Sequence, residues 1–156
     1  MSRHFDSLLA EFSAEDREEI VSIPERFVQR ALRGDWDGVA ELYHPAAIQM
    51  PPDKAEVEGR EAIRHALSRT LGPEGAVRLQ DFSVSIREAE GIADRVYVRA
   101  AYHLKMQVTT DDGVRSIDQR GPYINILGRD EEGHWRIYRQ IYSRDHPPAT
   151  GSAPSG

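Results

Sequence analysis

Apolar and polar residues alternate through much of the second half of the chain, and this period of two predicts β-strands. The longest such stretch is 114–143, where two β-type segments flank an acidic, glycine-containing turn at 129–133. Alternation groups three apolar residues of the second segment on one face, namely Trp135, Ile137 and Ile141. The opposite face carries two rings and an amide, namely Tyr138, Gln140 and Tyr142. A strand that is apolar on one face and carries several polar side-chain ends on the other predicts a sheet that lines a cavity.

Two more β-type segments precede this hairpin. Residues 77–87 alternate with a slip after Leu79, which predicts a β-bulge near Gln80-Asp81. Residues 96–108 alternate without a slip, and Asp112-Gly113 predicts a tight turn into the following strand. The second half of the chain is therefore expected to form a meander of long antiparallel strands.

Helical periodicity is confined to the first half of the chain. Ser13 is placed to cap a helix whose apolar positions continue to Gly34. Pro24 lies inside that pattern, so we expect it to kink the helix or to mark a restart after Ser22.

Two shorter helices and one strand are predicted before the meander begins. Asp35 is placed to cap a helix that ends at His44-Pro45, because the residue before a proline avoids helical geometry. A short strand follows at 47–50, and a third helix starts after Gly59. Helices followed by long antiparallel strands predict an α+β fold, with the helices packed on one side of a curved sheet.

Composition and charge exclude several classes of function. The 156 residues carry a formal charge of −6, which argues against a nucleic-acid or anionic-membrane surface, and the absence of cysteine excludes thiolate chemistry. The acidic N-terminal stretch lacks the hydrophobic region of a signal peptide, so we expect a cytoplasmic protein. We expect an N-terminal extension at 1–12, one domain at 13–146 and a disordered tail at 147–156.

Six segments of the sequence, taken in order, resemble a known family. They are 34–37, 42–45, 50–52, 58–63, 121–123 and 133–137. Together they resemble the ketosteroid-isomerase-like, or nuclear-transport-factor-2-like, superfamily, and most closely its SnoaL-like and SgcJ-like branch. This resemblance implies a cone-shaped α+β barrel, open at one end, in which a curved antiparallel sheet wraps around N-terminal helices and encloses a pocket.

The same resemblance implies which residues face the pocket. The ligand-binding candidates are Gln49, Val98, Ala100, Tyr102, Leu104, Tyr123, Tyr138 and Gln140, together with Asn125 and Tyr142. Pairing across Asp112-Gly113 is expected to place Asn125 opposite Ala100. Alternation along the last strand independently places three of these residues, Tyr138, Gln140 and Tyr142, on one face. We therefore favour a ligand pocket over a cone that tyrosine side chains simply fill.

The catalytic positions of the steroid isomerases are not retained. The resemblance places their general-base aspartate at Pro51, their oxyanion-hole tyrosine at Phe27 and their protonated aspartate at Asn125. Asn125 still offers an amide donor, but the base and the acid with a tuned pKa are missing. Isomerisation by that machinery is therefore not expected.

Asp118 is the carboxylate that decides between catalysis and binding. Asp118-Gln119-Arg120 puts both charges on one strand face, which resembles the acid–base arrangement of epoxide hydrolases of this fold. In an unbroken strand Gln119 faces inward and the ion pair faces outward, which is the commoner arrangement. A bulge at Gly121-Pro122 would reverse this and turn Asp118 into the cone as a general base. The candidate catalytic residues are Asp118, Tyr142 and Asn125.

Two functions from different classes follow. The first is a cofactor-independent enzyme, of the isomerase, cyclase, dehydratase or hydrolase type, that acts on a hydrophobic oxygenated small molecule such as a polyketide- or terpenoid-like compound. The alternative is a non-catalytic binding or dimerisation module of the same fold. No metal or organic cofactor is expected, because the histidines are scattered and no nucleotide-binding glycine loop is present. We expect a homodimer through an outer sheet face that carries Ile124, Ile126, Ile137 and Ile141.

Overall fold

The computed structural model describes residue 9 and residues 11–72 and 76–145. The predicted tail at 147–156 and most of the predicted extension at 1–12 lie outside the described residues. Within that extension, Leu9 is buried, and the Phe12 ring meets the Trp135 ring edge-to-face at 5.8 Å between centroids. Packing against the core therefore begins before Ser13.

The first helix, α1, spans Ala14–Leu32. As predicted, Ser13 caps it, and the Ser13 hydroxyl accepts a hydrogen bond from the Asp16 backbone N–H at 3.0 Å. The predicted restart after Ser22 is wrong, because the helix continues through Pro24. Pro24 is buried, so tertiary packing maintains a helix that the proline alone would interrupt. None of the described helices is both long enough and apolar enough to cross a membrane.

The structure departs from the predicted elements around residue 43. Helix α2 spans Trp36–Ala40, and Asp35 caps it as predicted. This helix ends before the predicted His44-Pro45, because Tyr43 already belongs to the first strand, β1, Tyr43–Met50. Pairing of Tyr43 with the final strand of the sheet outweighs the helical pattern of this segment.

Five further strands and one helix complete the fold. They are β2 Val57–Glu58, α3 Arg60–Leu71, β3 Val77–Ile92, β4 Arg95–Thr110, β5 Gly113–Arg129 and β6 Trp135–Tyr142. The strands form one sheet in the order β2-β1-β6-β5-β4-β3, and every pair is antiparallel except β1 with β6. The core lies between this sheet and the helices. The α+β prediction is confirmed, and the sheet stays open because β2 and β3 form its two edges.

The predicted meander is confirmed, with one change of register. A register shift between Leu79 and Asp81 confirms the predicted bulge in β3, and Gly113 pairs with Thr110 in the predicted tight hairpin. Asn125 pairs with Val98 and not with Ala100. This difference of two residues keeps Asn125 on the predicted face, because strand side chains alternate with a period of two.

A further bulge, which nothing in the alternation indicates, lies in β6. Leu127 pairs with Ile137 while Ile126 pairs with Arg139, so Tyr138 is an extra residue on β6. The bulge reverses the alternation once. Ile137 is therefore fully buried, at 0% exposure, and the prediction that it lies on the outer face is wrong.

The predicted turn between β5 and β6 is organised by one carboxylate. Asp130 Oδ1 accepts hydrogen bonds from the backbone N–H groups of Glu132 at 2.9 Å and His134 at 3.0 Å. Asp130 Oδ2 accepts a hydrogen bond from Arg136 Nε at 2.9 Å. Gly133 closes the turn with a φ of 89°, which a residue with a side chain rarely adopts.

Asp130→Asn is expected to remove an acid-sensitive part of the stability. Burial alone would raise the pKa of Asp130, but the hydrogen bonds from Arg136, His134 and Glu132 lower this pKa to about 2. A carboxyl with a depressed pKa in the folded state stabilises the fold above its unfolded pKa of 3.8. That contribution is lost as the pH falls from this value towards about 2.

Urea unfolding between about pH 5 and pH 2 measures this contribution. Stability should fall less steeply with acid in Asp130→Asn than in the wild type, because asparagine still accepts the backbone bonds but does not titrate. Glu131→Gln, at the exposed neighbouring position, should follow the wild type. Equal pH slopes in all three proteins would show that Asp130 does not carry this effect.

Three isoleucines lie close together on the outer face of the sheet. Ile124 on β5 pairs with Ile141 on β6, and Ile126 lies two residues further along β5. The exposed fractions are 38% for Ile124, 36% for Ile126 and 50% for Ile141. We call these three residues the isoleucine patch.

We expect the protein to form a homodimer through the isoleucine patch, because association would remove these side chains from water. Light scattering at micromolar concentration should give twice the 17.6 kDa of one chain. Ile124→Asp should yield a monomer. Ile92→Asp, at a more exposed site (58%) at the end of β3, should leave the mass of the particle unchanged. A monomeric wild type would contradict the expected dimer.

Candidate functional site

A cavity of about 100 Å³ lies between the helices and the inner face of the sheet. Residues of α1 and α3 form one wall, and residues of the strands form the other. Seven of the predicted pocket residues line it, namely Gln49, Tyr102, Leu104, Tyr123, Asn125, Gln140 and Tyr142. An apolar wall with a few polar groups is the usual composition of a small-molecule site.

Three predicted ligand residues do not line the cavity. Val98 and Ala100 lie on the inward face of β4 but are packed into the core, at 2% and 1% exposure. Tyr138 is turned away by the bulge in β6. Its ring lies 3.9 Å from the guanidinium carbon of Arg139 and 4.7 Å from that of Arg95.

Ten lining residues are not among the predicted ligand residues. From the helices they are Ile23, Pro24, Phe27, Leu67, Thr70 and Leu71. From the strands they are Phe82, Val84, Met106 and Gln119. Helical spacing and strand alternation place most of them inward, but neither pattern separates a residue at the cavity from one in the packed core.

Phe27 lies in the cavity wall where the family resemblance places a tyrosine donor. Its ring meets the rings of Tyr43 and Phe82 edge-to-face, at 6.2 and 6.0 Å between centroids. The phenyl ring therefore contributes apolar surface and no hydrogen bond.

A chain of hydrogen bonds between neutral side chains runs from β1 through β6 to β5. The Tyr43 hydroxyl donates to Gln140 Oε1 at 2.5 Å, and Gln49 Nε2 donates to the same oxygen at 2.8 Å. Gln140 Nε2 donates to Asn125 Oδ1 at 2.9 Å. Because the Gln140 oxygen has two donors, its nitrogen must find an acceptor, and this determines the orientation of both amides. We call this chain the amide relay.

Three hydrogen-bond donors on the sheet side of the cavity have no partner among the described residues. They are the Asn125 Nδ2 amide group and the hydroxyl groups of Tyr123 and Tyr142. Burial raises the pKa of Tyr123, and it raises the pKa of Tyr142 to about 12. Both phenols are therefore protonated at neutral pH, so the three groups act as neutral donors.

Tyr102 differs from the other two tyrosines because its hydroxyl already has partners. This hydroxyl donates to the Ser143 carbonyl at 2.8 Å and accepts from Gln119 Nε2 at 2.9 Å. The ring also meets the Tyr142 ring edge-to-face at 6.0 Å. Tyr102 therefore positions the neighbouring wall of the cavity, including the ring of Tyr142.

The bulge that would turn Asp118 into the cavity does not occur. β4 and β5 pair without a register shift along the whole of their contact. Gly121 serves close packing instead, since a Cβ at this position would lie 2.1 Å from the Ser143 carbonyl oxygen. Asp118 therefore stays on the outward-facing side of β5, as expected for an unbroken strand.

Asp118 belongs to a polar cluster on the outer face of the sheet. Its Oδ1 atom lies 2.6 Å from His103 Nε2 and 3.9 Å from Arg120 Nη2. The hydrogen bond from His103 lowers the pKa of this carboxyl. Of the three candidate catalytic residues, Tyr142 and Asn125 line the cavity, and Asp118 does not.

The ionisable groups of the described cavity wall are tyrosines. None of the lining residues is an aspartate, glutamate, histidine, lysine or arginine. Within the described ranges, no three histidine, aspartate or glutamate side chains are placed to hold a metal ion, and the expectation that no cofactor is needed stays a prediction. This arrangement can donate hydrogen bonds to a ligand oxygen, but its described part offers no carboxylate or imidazole to remove a proton.

Gln140→Leu is expected to lower the free energy of unfolding by about 1–3 kcal/mol, because in a buried site it leaves the Tyr43 hydroxyl without an acceptor and the Asn125 carbonyl without a donor. Urea unfolding of wild type and variant measures this difference. Gln29→Leu makes the same change at an exposed position of α1 and should alter stability by less than about 0.5 kcal/mol. Equal losses in both variants would mean that the amide relay adds nothing to stability.

Comparison with known proteins agrees with this fold. The SnoaL-like domain family matches residues 13–140. No curated protein sequence matches the chain. A ketosteroid isomerase-like protein from Erwinia carotovora atroseptica SCRI1043 superposes with a TM-score of 0.70 at 20% identity, and the match covers 87% of this chain and 100% of that chain.

Two further solved structures have the same fold. One is an NTF-2 like protein of unknown function from Shewanella oneidensis MR-1, with a TM-score of 0.61, 16% identity and coverage of 81% of this chain and 97% of that chain. The other is a protein from Catenulispora acidiphila in complex with S-DNPA, with a TM-score of 0.62, 19% identity and coverage of 85% and 96%. Identities this low establish the fold alone.

The family match extends over most of the described structure, from the residue that caps α1 to Gln140 in β6. It includes both helical contributions to the cavity and nearly all of the sheet. The resemblance deduced from the sequence is thereby confirmed: the chain belongs to the SnoaL-like domain family, and it shares its fold with solved ketosteroid isomerase-like and NTF-2 like proteins.

Proposed function

We propose that the cavity binds a hydrophobic small molecule through a hydrogen-bond-accepting oxygen, such as the carbonyl group of a polyketide- or terpenoid-like compound. One observation carries this proposal. In an otherwise apolar cavity, the Asn125 amide and the hydroxyls of Tyr123 and Tyr142 are donors without a partner among the described residues. Donors that face an apolar cavity and have no protein partner favour a ligand that supplies the acceptor.

Asn125 is the most strongly oriented of the three donors. Gln140 Nε2 donates to its carbonyl oxygen, which fixes the orientation of the amide, so Asn125 presents its amide nitrogen to a ligand as a donor. The relay behind it extends through Gln140 to Tyr43, a side chain with 0% exposure. A donor held in one orientation loses little freedom when a ligand binds, which favours affinity.

The size of the cavity limits what it can enclose. A volume of about 100 Å³ is on the scale of one small ring, since an engineered apolar cavity of about 150 Å³ takes up benzene. A larger ligand would therefore place one ring or chain segment beside the donors and extend the remainder towards solvent. The Catenulispora acidiphila structure shows that one protein of this fold has been solved with a ligand.

A cofactor-independent enzyme is the second candidate function, and the same donors favour it. Neutral donors that converge on a ligand carbonyl would also stabilise the negative charge that develops on its oxygen during isomerisation, cyclisation or dehydration. Asn125 and Tyr142 would then act as oxyanion donors. Binding is the better-supported function because the described wall holds no carboxylate or imidazole base.

A matched pair of small ligands tests the proposed function. Acetophenone and ethylbenzene have nearly the same shape, but only acetophenone carries an acceptor oxygen. We expect acetophenone to bind more tightly to the wild type in a ligand-observed NMR titration. Asn125→Leu should weaken acetophenone by about 1–3 kcal/mol, if the carbonyl is left without a donor, and should change ethylbenzene much less.

Two variants give the controls. Tyr142→Phe removes another donor and should also reduce the preference for acetophenone over ethylbenzene. Gln107→Leu, on the opposite face of β4 from Tyr102, should keep the wild-type preference. Equal affinity of the wild type for both compounds would contradict recognition of an oxygen. Binding of neither compound would contradict the cavity as a site for a ring of this size.

A further inference from the structure

A second concave region, with a volume of about 800 Å³, is strongly charged and shares no lining residue with the cavity. Helix α1 contributes to both, since Ile23 and Phe27 line the cavity while Arg26 and Arg30 line the second region. Residues from the start of β1, the start of α3 and the β5–β6 turn complete it. We call this region the charged cleft. Nothing in the proposed function uses it.

Two of the four arginines that line the charged cleft have carboxylate partners. Arg136 Nε donates to Asp130 Oδ2 at 2.9 Å. Arg30 Nη1 lies 3.4 Å from Glu41 Oε1 and also donates to the Gly38 carbonyl at 2.6 Å. These two guanidinium groups are therefore already neutralised in part by the protein.

Arg26 has no such partner. Its Nε atom is buried and forms no hydrogen bond, and its side chain forms no ion pair with a described residue. Glu19, the carboxylate that acts on Arg26 electrostatically, already accepts hydrogen bonds from the Trp135 backbone N–H and from His134 Nδ1, both at 3.1 Å. Burial, reinforced by the charge of Arg30, lowers the pKa of Arg26, but a guanidinium stays protonated in proteins.

A buried donor on a charged group without a partner lowers stability, and native structures contain few of them. The Nη groups of Arg26 also have no partner among the described residues and, unlike Nε, are not buried, so they are the donors that a ligand in the cleft can reach. An arginine is suited to oxyanions, because its planar set of N–H groups matches the two oxygens of a carboxylate.

Two more residues of the cleft, Arg60 and His44, could interact favourably with an anion. Arg60 donates to the Tyr43 carbonyl through Nε at 2.9 Å and Nη2 at 2.6 Å, so its positive charge is held in place without a carboxylate partner in the described parts of the chain. His44 Nδ1 accepts a hydrogen bond from the Ala46 backbone N–H at 3.0 Å, which leaves the Nε2 proton available to a ligand.

We propose that the charged cleft is a second binding site, which holds the carboxylate of a small organic acid at Arg26, with Arg60 and His44 as further donors. The charge of the cleft favours one negative charge over two. Its four arginines face five carboxylates, of which Glu131 and Glu132 lie exposed in the turn. A phosphate dianion would meet this negative rim with twice the charge of a carboxylate.

Arginine side-chain NMR provides a measurement at the proposed residue. Butyrate should shift the Nε–Hε resonance of Arg26 in a saturable manner, whereas butyramide, the neutral compound of the same shape, should not. Inorganic phosphate at the same ionic strength should bind more weakly than butyrate. Equal shifts with butyrate and with sodium chloride, or tighter binding of phosphate, would overturn the proposed carboxylate site.

Arg26→Met separates a binding role from a structural one. This variant should bind butyrate at least about tenfold more weakly, since it removes a charge-assisted hydrogen bond. It should also unfold at the same or a higher temperature than the wild type, because it removes a buried donor that has no partner. Arg33→Met, at an exposed position after α1, should bind butyrate as the wild type does.

The same variants also define the results that would contradict the proposed site. Wild-type affinity of Arg26→Met for butyrate would show that Arg26 does not hold the carboxylate. A clearly lower melting temperature of Arg26→Met would show that Arg26 supports the fold, which removes the reason for the site. Arg60→Met provides a further comparison, because it should weaken butyrate while also destabilising β1 through the lost bonds to the Tyr43 carbonyl.

Discussion

The extra residue at Tyr138 decides which side chains of β6 face the interior. Strict alternation would put Trp135 and Ile137 on the opposite face from Gln140 and Tyr142. Because the bulge reverses the alternation once, both pairs face inward, the first in the packed core and the second at the cavity. The hydrogen bonds of Gln140 and the donor of Tyr142 both depend on this single shift.

The amide relay depends on that shift, and its hydrogen bonds fix the orientation of the polar side chains at the cavity. Gln140 reaches Tyr43 and Gln49 on one side and Asn125 on the other, so one side chain connects three strands. All four members are neutral, and burial raises the pKa of Tyr43 further from neutrality. Their hydrogen-bond directions therefore do not change across the physiological pH range, which distinguishes this cavity from one tuned for proton transfer.

Most of the fold could be predicted because each element carries its own local signal. Asp112-Gly113 marks one hairpin, and the slip after Leu79 marks one bulge, since turn chemistry and alternation are properties of neighbouring residues. The bulge at Tyr138 has no such signal, because residues 135–142 contain neither glycine nor proline. Gly121-Pro122 was misleading for a related reason, as a strand glycine serves a bulge or a close backbone approach equally well.

In the candidate site, too, neighbouring residues in the sequence predict some features, while other features depend on tertiary packing. Parity along β4 and β5 places Tyr102, Tyr123 and Asn125 inward, but only the packing of α1 and α3 decides which inward residues meet empty space. Arg26 is the clearest example of a feature that depends on tertiary packing. In the sequence it is one polar residue on an amphipathic helix, and its lack of a partner depends on where Glu19, Trp135 and His134 meet in the folded chain.

Tyr43 connects the wall of the cavity to the charged cleft through hydrogen bonds. The Tyr43 hydroxyl begins the amide relay, while the Tyr43 carbonyl accepts both hydrogen bonds from Arg60 of the cleft. The two regions otherwise differ in every chemical respect, since one offers neutral donors in an apolar wall and the other offers cations among carboxylates. A ligand in either region would influence the other only by changing the stability of contacts they share, and such an influence is reciprocal. Two contacts between them in the described structure are helix α1, which lines both regions, and Tyr43 at the start of β1.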